Sequence, residues 1–438
     1  MHVELVNTGS ELMLGRVLNT HQQWLCRRLA DLGHVVTRQV AIADVGNEIQ
    51  QAVREALSRA DLVITTGGLG PTSDDLTREL IAELLGKKLV ENQAVRAHIE
   101  NFFAQRNRPR PAKTSVETFV PEGALFFLNQ HGTAPGLAMK IGDGVWRLAS
   151  GESNAHGHSA PEPRSKTPAP KWLVMLPGPP RELRPMFDDA IVPLLKREFA
   201  DAIFVCRTLR STGIGESRVQ EMIETDLQPL AKNGLEVGYC ARPGAVDIRL
   251  TASGAGAEKM VRDGAAVVQQ ILGANLFGFD DDEIENVVVR LLTEKKKTLA
   301  LAESCTGGNL AHRLTNVPGA SAVFLGGVVS YANEAKEKFL GVRAETLRQH
   351  GAVSEAVATE MALGTRENFG SDFALAITGV AGPGGGTADK PVGTVFIALA
   401  SAAGVAVEKR LNPWDRTTFK EVTTTQALER LRQLLLSA

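Results

Sequence analysis

The chain has 438 residues, more than one hydrophobic core accommodates and enough for about three domains. Lys and Arg total 48 against 50 Asp and Glu, a net charge of −2, so global charge draws it neither to nucleic acid nor to an anionic membrane. No stretch has the apolar length to span a bilayer, the amino terminus lacks the pattern of a secretory leader, and the four cysteines (Cys26, Cys206, Cys240, Cys305) show neither CxxC nor disulfide-framework spacing; a soluble protein of the reducing cytoplasm is expected.

In chain order, strand patterns over residues 3–6, 35–40 and 62–66 alternate with amphipathic helical patterns over 20–32 and 48–58. This βαβ rhythm predicts a mostly parallel sheet in an α/β domain over residues 1–198. Residues 151–171, rich in Ser, Pro, Gly and His, cannot build a core and read as a disordered loop inserted between two strands; His156 and His158 within it could bind metal, though composition alone explains them. A small α+β module is expected over 199–283, with strands at 204–209 and 246–251, a Gly213-Ile214-Gly215 turn opening a helix, and a helix over 257–272. The acidic run 280–283 marks its end. Residues 284–438 return to alternating strands and helices and finish in an amphipathic helix over 417–435.

Four amino-terminal segments carry loop chemistry. Thr65-Thr66-Gly67-Gly68-Leu69-Gly70-Pro71-Thr72-Ser73-Asp74-Asp75 follows an apolar strand, so Gly67, Gly68, Gly70 and Thr72 can bring backbone N–H groups to phosphate oxygens. Asp74 and Asp75 could hold a divalent ion on a diphosphate, or simply cap the next helix. The segments containing Gly9 and Glu11, Gly132 and Thr133, and Gly178 each follow a β-rich or apolar run, and in a parallel sheet such loops gather at one edge.

In the carboxy-terminal region a strand at 298–302 breaks at Glu303-Ser304-Cys305-Thr306-Gly307-Gly308. A serine on such a turn is a candidate nucleophile, with the following glycine amides as oxyanion donors; its alternative role is the N-cap of a helix starting near 306 or 307. The base would be Lys336, neutral through desolvation, or Tyr331, one of two tyrosines in the chain; for Lys336 the alternative is a solvated helix face. Cys305 activated by His350 is a rival nucleophile. Ser354 reads as a helix N-cap. Five glycines over 379–386 make a loop able to cradle an anion, or a long β-hairpin connection; without Gly-Lys-Ser/Thr it is no Walker A loop.

The amino-terminal motifs resemble the molybdopterin-binding fold, and more closely the first domain of the CinA family. That resemblance implies a divalent-metal-dependent ADP-ribose pyrophosphatase, with Asp75 and Asp44 at the positions of acidic residues in cofactor-synthesis relatives and Asp74 as a further metal candidate. The segments Glu303–Gly308, 331–336, 350–354 and 378–383 resemble the carboxy-terminal CinA domain, a nicotinamide mononucleotide deamidase. This implies Ser304 as nucleophile, Lys336 and Tyr331 as proton-handling partners, substrate contacts at Thr306, Gly307, Gly308, Asn333, Thr378, Gly379, Gly382, Gly384, Gly385 and Arg416, and no cofactor for this domain. Arg416 and Lys420 stand where relatives often carry two arginines, so a bidentate fork is lost at 420. The middle module occupies the place of a KH-like domain but lacks the GXXG loop that clamps nucleic acid, so a spacer or dimerisation role is expected. The resemblance also implies a homodimer. The rival readings are a nucleotide sensor without catalysis and a molybdopterin-handling enzyme.

Overall fold

The computed structural model describes residues 1–142, 171–199 and 203–437. Of the 151–171 insertion only Lys171 falls within them, and His156 and His158 lie outside. The chain divides into two compact units, residues 1–205 with 253–255, and residues 206–252 with 256–438.

The first unit contains β1 (Val3–Thr8), β2 (Val36–Ile42), β3 (Leu62–Thr66), β4 (Leu89–Glu91), β5 (Phe119–Pro121), β6 (Leu125–Phe127), β7 (Gly136–Ile141) and β8 (Lys171–Leu176). Six form one sheet in the order β2-β1-β3-β8-β7-β6; β4 and β5 make a separate ribbon. The β2-β1-β3-β8 pairings are parallel, and β7 and β6 add antiparallel to the edge. β1 and β3 are buried along their whole length, as expected of strands covered on both faces. Leu25 and Leu29 of helix Thr20–Asp31 cover one face with Leu183 and Leu195; Val53 and Leu57 of Gly46–Arg59 cover the other with Ile81, Val95 and Ile99. Each such side chain contributes roughly 1.5–3 kcal/mol by leaving water.

The second unit holds two sheets. β9 (Phe204–Thr212), β10 (Glu236–Arg242), β11 (Ala245–Ser253) and β12 (Leu276–Phe279) form one in the order β10-β11-β9-β12, beside helices Glu216–Lys232 and Ala257–Leu272. β13 (Leu299–Glu303), β14 (Phe324–Val329), β15 (Phe373–Gly379), β16 (Thr394–Ser401) and β17 (Gly404–Leu411) form the other in the order β14-β13-β15-β16-β17. β14, β13 and β15 are parallel, whereas β16 and β17 run antiparallel, so the glycine-rich loop is indeed the connection between antiparallel strands. The alternation in this sheet sorts its faces by size. Leu299, Leu301, Leu375 and Ile377 meet the terminal helix Arg416–Ser437, while Ala302, Ala374 and Ala376 face helix Glu355–Phe369. Small residues there let backbones come close: a Cβ on Gly364 would lie 1.8 Å from the Leu340 carbonyl oxygen.

Candidate active site

Parallel pairing brings three hydroxyl residues abreast at one end of the second sheet. Glu303 is in register with Val329 and with Ile377; one step on, Ser304 N–H donates to the Ile377 carbonyl at 3.0 Å and Ser330 N–H to the Glu303 carbonyl at 2.8 Å. Ser304 therefore stands between Ser330 and Thr378, and Thr378 is anchored by its hydroxyl to the Ala352 carbonyl at 2.8 Å.

The turn after Ser304 depends on Gly307 and Gly308, at φ 61° and 93°, a region that costs other residues strain. The helix it leads into, Asn309–Thr315, takes no side-chain cap from Ser304. Its first amides are met by the Glu303 carboxylate, which accepts from Gly308 at 3.0 Å, Leu310 at 3.1 Å and Ala311 at 2.8 Å. The capping alternative for Ser304 is thus filled by its neighbour. The expected oxyanion donors need correction: the Gly307 amide donates to the Ser304 carbonyl and the Gly308 amide to Glu303, because the tight turn uses them to close itself. Thr306 is fully buried, and its hydroxyl has no partner among the described residues.

Lys336 is not on a solvated face. It is 1% exposed, and its side-chain nitrogen donates to the Ser330 carbonyl at 2.8 Å and the Tyr331 carbonyl at 3.3 Å. Burial pulls its pKa below the ordinary lysine value, and Cys305 and Glu334 oppose that only in part. Burial also pushes the Cys305 thiol up to about 12, so it stays protonated at neutral pH and is a poor nucleophile. His350 is exposed; its carbonyl accepts from Lys390.

Tyr331 has its hydroxyl bonded to Arg416 and not to Ser304 or Lys336. Its ring is 59% exposed, and its hydroxyl accepts from Arg416 Nη2 at 2.5 Å while Arg416 Nη1 donates to the Gly382 carbonyl at 2.7 Å. Arg416 so ties the tyrosine to the start of the glycine loop. Gly384 and Gly385 beyond it are exposed, and Asn333 lies exposed in the first turn of the helix that carries Lys336. Gly379 closes β15, where a Cβ would lie 2.7 Å from the Thr394 carbonyl oxygen. The Lys420 nitrogen lies 3.7 Å from where a Cβ of Gly307 would be, so it reaches the turn after Ser304. Ser354 caps helix Glu355–Phe369 by accepting from Val357 N–H at 3.3 Å.

In the first unit the glycine loops do share an edge. Gly67 N–H donates to the Leu176 carbonyl at 3.0 Å, and a Cβ on Gly178 would lie 3.6 Å from the Gly67 Cα. The segment with Gly132 and Thr133 does not follow a strand of the parallel set; it precedes β7, whose reversed direction brings its start to the same edge. Gly9 abuts the Glu11 carboxylate, and Gly68 and Gly70 are fitted so closely against Thr77 and Asp75 that a Cβ on either would clash. Asp44 accepts from Ser10 N–H at 2.8 Å, and Asp75 from Thr72 N–H at 3.0 Å and its hydroxyl at 2.5 Å. Asp74 is fully exposed, with its carboxyl lowered by a hydrogen bond from Thr72. Among the described residues no group of three or more His, Cys, Asp or Glu could hold a metal ion, so a cation here would need further ligands from a bound diphosphate and water.

Sequence reasoning missed Glu117 and Glu182. Glu117 is fully buried, accepts from the Thr133 hydroxyl at 3.0 Å and is pushed up to about 7, chiefly by burial. Glu182 accepts from Asn129 at 2.8 Å and fills the notch left by Gly132. Neither stands in a glycine motif; Glu182, four residues after Gly178, was the more findable.

The family described as "CinA C-terminal domain" matches residues 281–435, "Probable molybdopterin binding domain" matches 4–197, and "Damage-inducible protein CinA KH domain" matches 206–278. A "CinA-like protein" of Akkermansia muciniphila is 41% identical over 98% of this chain and 96% of its own length. The chain belongs to the CinA family. A competence-damage inducible protein of Moorella thermoacetica is likewise 41% identical, over 98% of this chain and 97% of its own. The crystal structure of the competence/damage inducible protein CihA from Agrobacterium tumefaciens is 41% identical, covers 35% of this chain and 96% of that one, and has a TM-score of 0.34. The three CinA domains account for the α/β, α+β, α/β succession. The CinA KH segment packs with the CinA C-terminal domain in one unit, Gly244 lying so close to the terminal helix that a Cβ would meet Thr425 at 2.9 Å. Among the described residues no helix is long and apolar enough to cross a membrane.

Proposed function

We propose that the carboxy-terminal domain hydrolyses the carboxamide of nicotinamide mononucleotide to nicotinic acid mononucleotide and ammonia. The observation that carries this reading is Lys336, a buried amine with lowered pKa beside a serine turn. Ser304 attacks the amide carbon, its proton passes to neutral Lys336, and the carbonyl oxygen becomes an oxyanion. Lys336 returns the proton to the leaving nitrogen, ammonia departs, and water hydrolyses the ester on Ser304. The exposed Arg416 and the half-buried Lys420 supply positive charge for the nucleotide phosphate. Incubation with nicotinamide mononucleotide should give ammonia and nicotinic acid mononucleotide in equal amounts; Ser304→Ala should give neither. A wild-type chain that yields no ammonia refutes the reading.

For the first unit we propose binding of a nucleotide diphosphate, with ADP-ribose as substrate and a divalent ion completed by its phosphates. The gathered loops of Gly67, Gly178 and Thr133 favour it. Turnover of ADP-ribose that depends on added Mg²⁺ or Mn²⁺ tests it, and no turnover with either counts against it. The chain is expected to act as a homodimer in the cytoplasm without nucleic acid.

A further inference from the structure

The Ser330 side chain has no role in any reading above, and its surroundings give it one. It is fully buried, and its hydroxyl oxygen has no hydrogen-bond partner among the described residues. A hydroxyl taken out of water costs free energy unless bonded, and one that lies beside reactive groups but bonds none of them at rest is free to turn toward them. Two such groups are close. Ser330 stands next to Ser304 across the β13–β14 pairing, because its N–H donates to the Glu303 carbonyl at 2.8 Å. Its own carbonyl accepts from the Lys336 side-chain nitrogen at 2.8 Å, so the amine lies within one residue's reach of the hydroxyl. Tyr331, the other candidate between serine and lysine, has its hydroxyl held by Arg416 in the structure.

We propose that the Ser330 hydroxyl relays the Ser304 proton to the Lys336 amine. The proposal rests on the deamidase reading of the same site and adds to it the path of the proton. A hydroxyl is both donor and acceptor and rotates freely, so it can accept from Ser304 while donating to Lys336. As the bond from Ser304 Oγ to the amide carbon forms, the Ser304 proton moves to Ser330 Oγ and the Ser330 proton to Lys336 Nζ, leaving Ser330 neutral and Lys336 as ammonium. On collapse of the oxyanion the C–N bond breaks, the same relay runs backward to the leaving nitrogen, and ammonia departs.

The test compares Ser330→Ala and Ser330→Thr with the wild-type full chain in ammonia release from nicotinamide mononucleotide and in covalent labelling of Ser304 by a sulfonyl fluoride, which needs an activated serine but no amide. Ser330→Ala should lower kcat about a hundredfold, leave KM within about twofold and slow labelling similarly, and Ser330→Thr should recover most of both. Since it deletes a hydroxyl without a partner, Ser330→Ala should unfold at or above the wild-type midpoint, which separates the loss from misfolding. Labelling that depends on Ser330 in a wild type that releases no ammonia removes the substrate and keeps the relay. Ser330→Ala within about twofold of wild type on both readouts overturns the relay, as does a wild type that takes no label.

Discussion

Burial lowers the pKa of Lys336, and in the proposed mechanism this is what lets the amine serve as the base. Desolvation disfavours the ammonium, so lowering the pH through its depressed pKa should charge the base and cut ammonia release, while higher pH restores it. Lys336→Ala should reduce kcat by about 10²–10⁴-fold, and Lys336→Arg should not rescue it, because guanidinium stays charged. Cys305→Ala should keep activity within a few-fold, in line with a thiol held near 12. Glu117 predicts a stability effect in the first unit. Its folded pKa of about 7 lies above the unfolded value of 4.5, so the folded state binds the extra proton, and the stability this gives is full below 4.5 and lost as pH rises through 7. Glu117→Gln should flatten that decline, raising stability at pH 8 relative to wild type by up to about 3 kcal/mol, read from denaturant unfolding at pH 5 and pH 8.

At the scale of elements, the Glu303 carboxylate joins a strand end to a helix start through three amides. Glu303→Gln removes the charge and one acceptor oxygen, and should cost about 1–3 kcal/mol of stability in unfolding measurements and lower activity by loosening the Ser304 turn. The strands and helices were largely legible in the sequence because their patterns are local. β3 spans the predicted 62–66, and helix Ala257–Leu272 the predicted 257–272. The antiparallel direction of β7 was not legible, since a strand's pattern of side chains is the same whichever way it runs, and that of β16 stood only as the hairpin alternative for the glycine loop before it. Burial of Lys336 was equally hidden. Its segment, Glu334-Ala335-Lys336-Glu337-Lys338, reads as a solvated face, and only the fold turns one lysine inward.

At the scale of the molecule, residues 206–252 and 256–438 form one compact unit, in which the middle segment packs with the CinA C-terminal domain. A fragment starting at 206 should release ammonia with kcat within about twofold of the full chain. A fragment starting at 281 should be less stable, because Thr425 and the terminal helix lose the chain around Gly244. The domain succession could be read from ordered motifs, whereas this grouping depends on contacts between residues far apart in sequence. The central claim, a serine served by a buried lysine, is tested most directly by ammonia release from nicotinamide mononucleotide by wild type, Ser304→Ala and Lys336→Ala side by side. Steady release is expected from wild type and a loss of at least about a hundredfold in each variant. Release from Ser304→Ala at the wild-type rate would contradict that claim.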